Sequence, residues 1–258
     1  MARNDEVRPE ANELLVSVAE QLKVPLAIIA RQAELSTLSV GAAGAGAAPA
    51  LNAATIATQA DAALMLVDSY LLGLELLRTQ SQLELEPVSV SSLLVDAAHD
   101  LHAFARQYGV SVELETAGKY GPVMSNARGL KAALLSLGFA LVEAQSAQLT
   151  ETAAMLATKN AAAKPARVLL AVHRTPHGIV AGMYGTNQLV SAGAWRRAQA
   201  LCGKARQPFA EFGASSAAGL FVADTILRSM ESRLRVGRYL HAGGLAATLQ
   251  PSQQLQLV

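Results

Sequence analysis

The sequence has little cysteine, few aromatic residues and few charges, and these shortages exclude several classes of function. Cys202 is the only cysteine, so a disulfide-stabilised scaffold within one chain is excluded. Charged residues make up 16% of the 258 residues, whereas a typical soluble domain carries roughly 25%. The 21 lysines and arginines nearly balance the 20 aspartates and glutamates, which gives a formal charge of +1. Because nucleic acid attracts a concentrated basic surface, this balance predicts no nucleic-acid partner.

Apolar residues are abundant instead, at 52% of the chain with only 4% aromatic. Alanine and leucine, the main contributors, favour helices and exclude disorder. Five polar residues interrupt the longest apolar stretch, 51–77: Asn52, Gln59, Asp61, Asp68 and Glu75. A membrane-spanning helix, which needs about 20 apolar residues, is therefore not predicted. The first residues also lack a signal-peptide core, so we expect a cytoplasmic protein with no membrane partner.

Two helices are predicted in the first third of the chain, at 10–39 and 50–81. In the first, apolar residues recur every three or four positions on one face: Leu15, Val18, Leu22, Leu26, Ile29 and Ala33. Pro25 is expected to bend this helix, and the glycine-rich segment 41–49 separates it from the second. In the second helix, steps of four and three define a coiled-coil-like seam: Ile56, Ala60, Ala63, Val67, Tyr70, Leu74 and Leu77.

This hairpin carries more apolar surface than two helices bury between them, because Leu64, Leu66, Leu71 and Leu72 lie beside the seam. Two copies that pair into a four-helix bundle would bury the excess, which predicts a homodimer. The alternative is a hairpin packed on the rest of its own chain. The regular seam favours the dimer.

The pattern changes after a linker at 82–87. Helices are predicted at 90–107, 126–147 and 216–230, and strands at 110–115, 167–172, 179–184, 233–237 and 244–250. Ser89 is expected to cap the first of these helices, and residues 173–178 to form a turn. Helices on one face of a mixed sheet are the simplest packing. The predicted fold is α+β, with a helical dimerisation domain at 1–82 and an α/β sandwich at 88–258.

The order of these elements and several short motifs resemble the core of bacterial sensor histidine kinases. Residues 20–26, Glu-Gln-Leu-Lys-Val-Pro-Leu, resemble the phosphoacceptor box His-Glu-Leu-Arg-Thr-Pro-Leu of that family. Residues 88–94 and 108–110 resemble the entry to its ATP-binding domain, and 125–130 resembles the start of the next helix. The resemblance covers about 10–250. It implies a four-helix-bundle dimer followed by a GHKL-type α/β sandwich of the histidine kinase ATPase type.

The phosphoacceptor box departs from the family at three positions. Glu20 stands where the family has the phosphorylated histidine, Gln21 where it has an acidic general base, and Val24 where it has a threonine. A carboxylate is a poorer nucleophile than an imidazole, glutamine takes no proton at neutral pH, and valine forms no hydrogen bond. Lys23 keeps the charge of the family's arginine. The resemblance therefore implies no catalytic residue here, but a partner-binding surface of Glu20, Gln21, Lys23 and Val24.

The nucleotide motifs depart as well. Ser136 and Ala140 stand where the family has asparagines, and Ala140 has no oxygen to offer Mg²⁺. Met183 replaces the aspartate that accepts from the adenine amine, although Gly185 is retained. Gly219 is the last glycine left in the second glycine box, which hinders close backbone approach to phosphates. These five residues define a degenerate nucleotide site, and we expect no bound Mg-ATP, no other cofactor and no metal.

Histidines and one basic cluster offer other chemistry. His99 and His102 share a predicted helix, but without cysteines nearby we interpret them as solvated or partly packed. His173 and His177 are expected in the turn at 173–178, and His241 in another turn. A basic cluster surrounds Trp195 and is interpreted as a solvated segment: Arg196, Arg197, Lys204 and Arg206.

These observations predict a catalytically inactive, histidine-kinase-like homodimer, a pseudokinase of two-component signalling rather than an enzyme. Its expected partner is a response-regulator receiver domain, and Glu20 would mimic the charge of a phosphorylated histidine. Two alternatives remain open. One is a histidine-phosphotransferase-like or residual ATP-binding enzyme of the same fold, and the other is an architectural oligomer.

Overall fold

The structure is a computed structural model that describes residues 22, 25–34, 48–116, 118–157, 165–185, 191–201 and 217–252. Six helices occupy these ranges: α1 at residues 25–34, α2 (Ala48–Thr79), α3 (Val90–Gln107), α4 (Ala127–Ala157), α5 (Ala192–Leu201) and α6 (Ala217–Arg228). Seven strands accompany them: β1 (Glu86–Val88), β2 (Val110–Glu115), β3 (Val123–Ser125), β4 (Ala166–Thr175), β5 (Gly178–Gly185), β6 (Leu234–Tyr239) and β7 (Ala242–Pro251).

The strands form one mixed sheet in the order β1-β3-β7-β5-β4-β2, and β6 also pairs with β7. Only the β2–β4 pair is parallel, and every other pair is antiparallel. The long strand β7 serves both arms of the sheet, because its first residues pair with β6 and its last ones with β3. This sheet and the helices on it confirm the predicted mixed α/β layer.

Several local predictions are confirmed by side-chain caps. Ser89 Oγ accepts a hydrogen bond from the Ser92 N–H at the start of α3, which occupies the predicted 90–107. Asn126 Oδ1 accepts from the Gly129 N–H at the start of α4. Both caps satisfy backbone donors that the first helical turn leaves free. The predicted β4–β5 hairpin is also present, and its turn lies at residues 176–177.

Other predictions at this level are wrong. The turn expected at 173–178 is shorter, because β4 continues to Thr175 and places His173 within a strand. The helix α4 runs ten residues beyond its predicted end. Trp195 is buried in α5 rather than solvated, and its indole N–H donates to the Leu234 carbonyl at 3.0 Å. A bulky indole with a satisfied donor is a packing anchor, so the segment around it is held against β6.

One face of α2 packs on the α/β layer of its own chain. Tyr70 is 1% exposed, and a Cβ added at Gly73 would lie 3.2 Å from the Val222 side chain of α6. Ala62 and Leu66 belong to the same core cluster as residues of α3, α4, α6 and the sheet. The predicted seam is thus partly used within the chain, since Tyr70 points inward and the other seam residues are half-buried.

A different face of α2 is exposed. Leu64 and Leu71 are 63% and 59% exposed, and they alternate along one stripe with Asp61, Asp68 and Glu75. A helix that is apolar on more than one face is typical of one with two packing partners. The chain's own α/β layer supplies one of them.

The helix α4 lies at the centre of the helical layer. By length and composition, its segment 127–150 is apolar enough to cross a membrane, but 67% of the qualifying window is buried within the fold. Burial of this kind is what the core helix of a folded domain requires. The apolar character of α4 is therefore explained by its contacts with α3, α6 and the sheet.

Candidate functional site

The residues of the degenerate nucleotide site lie on α4 and on two elements that contact it, α6 and the end of β5. Ser136 and Ala140 lie one turn apart on α4 and are both fully buried. Gly219, in the first turn of α6, lies against them, since a Cβ added there would be 2.6 Å from the Ser136 carbonyl oxygen and 3.4 Å from the Ala140 Cβ. Only glycine allows this approach between two helix backbones. Ser136 Oγ is buried and has no hydrogen-bond partner in the described part of the chain.

The other two positions, Met183 and Gly185, lie on the helix-facing side of β5. Met183 is fully buried in the main core. A Cβ added at Gly185 would be 2.5 Å from the Gln145 Nε2 atom, so this glycine makes room for a side chain of α4. The structure therefore brings all five predicted positions to α4 or its neighbours, as two contacts on different sides of that helix.

Gln145 is a polar residue of this site that the sequence analysis did not single out. It is fully buried, and neither Oε1 nor Nε2 has a hydrogen-bond partner among the described residues. A buried polar group without a partner costs about 1–3 kcal/mol, and native structures seldom tolerate it. No signal in the sequence marks it, because an isolated glutamine in an apolar helix matches no motif.

A buried carboxylate lies on α4 one turn beyond Ala140. Glu143 is 9% exposed, and its charge acts on two tyrosines, Tyr70 of α2 and Tyr108 after α3. Burial, and after it this carboxylate, raises the pKa of Tyr70 and of Tyr108 well above the ordinary value. Both phenols therefore stay neutral at physiological pH. The Glu143 carboxylate of α4 thus lies close to Tyr70 of α2. The helix α4 therefore carries both part of the surface on which α2 packs and part of the candidate site.

Asp224 of α6 links α5 and β6 to α6. Asp224 Oδ1 accepts from the Leu234 N–H, and Oδ2 accepts from Gln199 Nε2 of α5 at 3.1 Å. Arg228, one turn along α6, forms an ion pair with Asp224 Oδ2 at 2.6 Å. One 4% exposed carboxylate thus joins α5, α6 and β6, and its partners offset the cost of burying its charge.

The predicted partner-binding residues Glu20, Gln21, Lys23 and Val24 lie outside the described residues, as do Lys204 and Arg206 of the basic cluster. Near them, Pro25 is buried in α1. Arg196 of the cluster is exposed. No position in the phosphoacceptor-like box can therefore be described beyond Leu22 and residues 25–26.

The histidines of the described chain lie in different places on the fold. His99 and His102 are exposed on α3 and line one open groove of about 390 Å³ with Ala98, Ala103 and Val112. Among the residues that the structure covers, no group of three or more His, Cys, Asp or Glu is placed to hold a metal ion. His173 stacks on Tyr239 at 5.2 Å between ring centroids, on the sheet face away from the helices. Burial there lowers the pKa of His173.

Comparison with known proteins identifies the class of fold. No protein-family model matches the chain, and no curated protein matches it significantly. Solved structures that the chain resembles include histidine kinases, so the chain has a histidine-kinase-like fold with a GHKL-type α/β layer.

The particular likenesses are remote in sequence. Full-length ShkA in complex with AMPPNP aligns with a TM-score of 0.51 and 15% identity, over 88% of this chain and 46% of that one. The AdeS kinase of Acinetobacter baumannii aligns with a TM-score of 0.47 and 12% identity, over 90% and 98%. A histidine kinase of Burkholderia phymatum aligns with a TM-score of 0.42 and 15% identity, over 91% and 98%.

This comparison corrects one prediction. The prediction that the chain is not an enzyme is wrong, because the solved structures with this fold include histidine kinases, which are enzymes. The substitutions at Ser136, Ala140 and Met183 do not by themselves establish a loss of function. They alter individual ligands, and nothing in the described residues shows that the chain is inactive.

The described residues leave no room for an adenine base at the end of β5, because Met183 is fully buried in the core and the Gln145 amide packs directly on Gly185. Ala140 supplies no oxygen for a cation at the position that the resemblance assigns to Mg²⁺. The described residues therefore show neither a base site at the end of β5 nor a metal ligand at position 140.

Proposed function

We propose that this chain is a homodimeric signalling protein of the histidine kinase fold that presents its helical region to a receiver domain. The observation that carries the proposal is the exposed stripe of α2. Leu64 and Leu71 are exposed on the face that does not pack on the α/β layer, and Ala60, Val67 and Leu74 beside them are half-buried.

A second copy is the simplest cover for this stripe. Two α1–α2 hairpins that meet through it would form a four-helix bundle, with the division between helical and α/β domains near residues 82–88. Covering two leucines on each copy would remove apolar surface from water. This burial stabilises the dimer by roughly 25 cal/mol per Å² of covered area. The half-buried neighbours extend this surface along the helix with steps of three and four, which suits a helix partner.

Light scattering on the full chain tests the dimer. The Leu64→Glu/Leu71→Glu double variant is expected to be a monomer at concentrations where the parent is a dimer. Val95→Glu is the matched control, because Val95 is 49% exposed on α3 and outside the stripe. A double variant that stays dimeric, or a parent that is monomeric at high concentration, contradicts the proposal.

The receiver-domain surface is proposed at Glu20, Gln21, Lys23 and Val24. Support comes from the resemblance of residues 20–26 to the family's phosphoacceptor box and from the fold. If the Glu20 charge biases the partner, Glu20→Gln and Glu20→Ala will both weaken binding of a purified receiver domain. Calorimetry with the parent as reference measures this effect, and unchanged affinity in both variants removes Glu20 from the proposal.

An ATP-dependent enzyme of the same fold is the second candidate function. It is favoured by the kinase-like fold and by the glycines at the α4 contacts, Gly185 and Gly219. Incubating the full chain with labelled ATP, Mg²⁺ and a receiver domain tests it. Transfer of label to either protein supports this function, and no transfer under conditions that activate a known kinase contradicts it.

A further inference from the structure

We propose that the turn between β6 and β7 inserts Leu240 into the headgroup region of an anionic lipid surface. The contact is peripheral: one apolar side chain enters the interface, and arginines near it meet the lipid phosphates. This inference departs from the sequence-based expectation of no membrane partner, and it rests neither on the proposed dimer nor on nucleotide chemistry.

The first ground is the exposure and conformation of Leu240. Its side chain is 73% exposed, and its backbone has a φ of 52°, a left-handed conformation that turns normally give to glycine or asparagine. Among the described residues from 165 to 252, no other large apolar side chain is exposed. One exposed leucine is common on a protein surface, but residues kept in strained backbone are concentrated at binding sites.

The second ground is that the turn is short and firmly held. The strands β6 and β7 pair as far as Tyr239 and Ala242, which leaves a turn of two residues. The Tyr239 ring stacks on His173 with 5.2 Å between centroids, and it lies 5.7 Å from the Tyr184 ring. A turn fixed in this way presents Leu240 with little conformational entropy left to lose on binding.

The third ground is the charge of the hairpin. Residues 232–251 contain no aspartate or glutamate, and Glu115 of β2 is the carboxylate that acts on Tyr239. Three arginines of this hairpin are exposed and form no ion pair with the described residues: Arg233, Arg235 and Arg238. Each arginine close to an anionic lipid surface strengthens binding, and its long side chain reaches the phosphates from a distance.

The small apolar area favours a lipid surface over an acidic protein. A protein interface of standard size buries about 800 Å² on each partner and has an apolar core. Here one exposed leucine accompanies several cations. Anchors in a lipid interface use this combination, because apolar side chains enter the acyl boundary while basic groups stay at the headgroups. Since Leu240 alone covers little area, binding should require anionic lipid.

Co-sedimentation of the full chain with vesicles at low salt tests the proposal. The parent is expected to bind vesicles made of equal parts of phosphatidylcholine and phosphatidylglycerol, and to bind pure phosphatidylcholine at least tenfold more weakly. Leu240→Gly should lose at least fivefold in affinity for the anionic vesicles. The double variant Arg235→Gln/Arg238→Gln should lose at least as much, because it removes two of the three cations.

Matched controls change the same residue types in the acidic part of the chain. Val95→Gly removes an apolar side chain of α3 that is 49% exposed. Arg78→Gln/Arg106→Gln removes two exposed arginines, at the ends of α2 and α3. Both controls are expected to keep the parent's affinity for anionic vesicles, and thermal unfolding checks that every variant folds.

Tryptophan fluorescence reports insertion of the turn directly. The parent has one tryptophan, Trp195, which is buried, so vesicles should leave its emission unchanged. Leu240→Trp adds a second tryptophan at the turn. Its emission is expected to shift to shorter wavelength with anionic vesicles and to stay unchanged with phosphatidylcholine alone.

Three results overturn the proposal: no binding of the parent to anionic vesicles at millimolar lipid, equal affinity in Leu240→Gly and parent, or no emission shift in Leu240→Trp. Binding to soluble polyglutamate without binding to vesicles would also overturn it and would assign the turn to an acidic protein. None of these results bears on the α2 dimer or on phosphotransfer, which have their own tests.

Discussion

At the scale of single residues, Leu240 stands out because its backbone and its side chain are both in unfavourable places. It lies in the two-residue turn between β6 and β7 with φ 52°, and it is 73% exposed. A residue other than glycine in left-handed backbone costs roughly 1–2 kcal/mol, and turns of this kind normally place glycine there. Neither packing nor turn chemistry accounts for a leucine at this position.

Replacing Leu240 with glycine should therefore stabilise the protein. The relief of backbone strain exceeds the extra unfolded-state entropy of glycine, so Leu240→Gly is expected to raise the free energy of unfolding by about 0.5–1 kcal/mol. Urea denaturation measures the change. The control Val95→Gly, in α3 and outside the exposed stripe of α2, should lower it by about 0.5 kcal/mol. A destabilised Leu240→Gly would show that the leucine makes a contact that the fold needs.

Asp224 should contribute far more to the stability of the fold than an exposed carboxylate does. Truncation leaves the buried Leu234 N–H and the Gln199 amide without an acceptor, so Asp224→Ala is expected to lower the free energy of unfolding by about 2–4 kcal/mol. Glu113→Ala removes a half-exposed pair with Arg167 at 3.3 Å and should cost less than about 1 kcal/mol. Equal effects in the two variants, measured by urea denaturation, would contradict the anchoring role of Asp224.

The raised pKa of the buried Tyr184 phenol predicts that the protein loses stability at alkaline pH. Burial, with a smaller effect of Tyr239, raises its pKa to about 12, whereas a tyrosine in the unfolded chain titrates near 10. The neutral phenol is thus favoured by folding. Its contribution, on the order of 2 kcal/mol, is complete below about pH 10 and is lost as the pH rises toward 12.

Urea denaturation at pH 9 and pH 11.5 measures this difference. The parent is expected to lose more stability between the two than Tyr184→Phe, which has no phenol to ionise. Absorbance at 295 nm should also show one fewer late-titrating phenol in the variant. Equal losses in both proteins would place the alkaline instability elsewhere, among Tyr70, Tyr108 and Tyr239, whose pKa values are also raised.

At the scale of elements, the sequence predicted those with local signals and missed those that depend on neighbours. The helix α3 was predictable at both ends, since Ser89 caps it and Gly109 follows it with φ 67°. The three-residue strands β1 and β3 have no periodicity of their own and exist because β1 pairs with β3 and β3 pairs with β7. The helix α5 was missed because its anchor, Trp195, was interpreted within a basic, solvated segment.

The candidate site shows the same limit. Motif comparison found Ser136, Ala140, Met183, Gly185 and Gly219, and the structure places them around α4. It did not find Gln145 or Glu143. Their importance comes from their burial in the folded chain, and no neighbouring residue in the sequence signals that burial. No motif marks either residue, and a polar residue in a long apolar helix does not by itself show which face of that helix is buried.

The packing of α2 on the α/β layer depends on Tyr70. Tyr70→Ala would leave a cavity between α2 and α4 and should lower the free energy of unfolding by about 3–5 kcal/mol. Hydrogen exchange of the α2 amides should then quicken more than that of the sheet, because α2 detaches first. Glu75→Ala, on the exposed face of the same helix, is the control and should leave both quantities nearly unchanged. Uniform quickening across α2 and the sheet would show that they unfold together.

At the scale of the whole molecule, the formal charge of +1 conceals two oppositely charged halves. Residues 48–116 carry nine carboxylates and two arginines, whereas the described residues from 165 to 252 carry eight arginines and two carboxylates. The acidic half contains α2, whose exposed stripe places Asp61, Asp68 and Glu75 at intervals of seven residues between its leucines. A dimer through this stripe brings like charges together.

That arrangement predicts an unusual dependence of the proposed dimer on salt. Like charges beside an apolar contact repel each other. Salt weakens this repulsion, and it largely removes it between exposed charges farther apart than the Debye length, which is about 8 Å at 0.15 M. Dimerisation should therefore tighten several-fold between 20 mM and 500 mM NaCl, as measured by sedimentation equilibrium. Asp68→Asn should tighten it at low salt and flatten the dependence, whereas Asp96→Asn, on α3 outside the stripe, should do neither. If salt instead dissociates the dimer, the acidic half of one copy is bound to the basic half of the other, and the interface is not the α2 stripe.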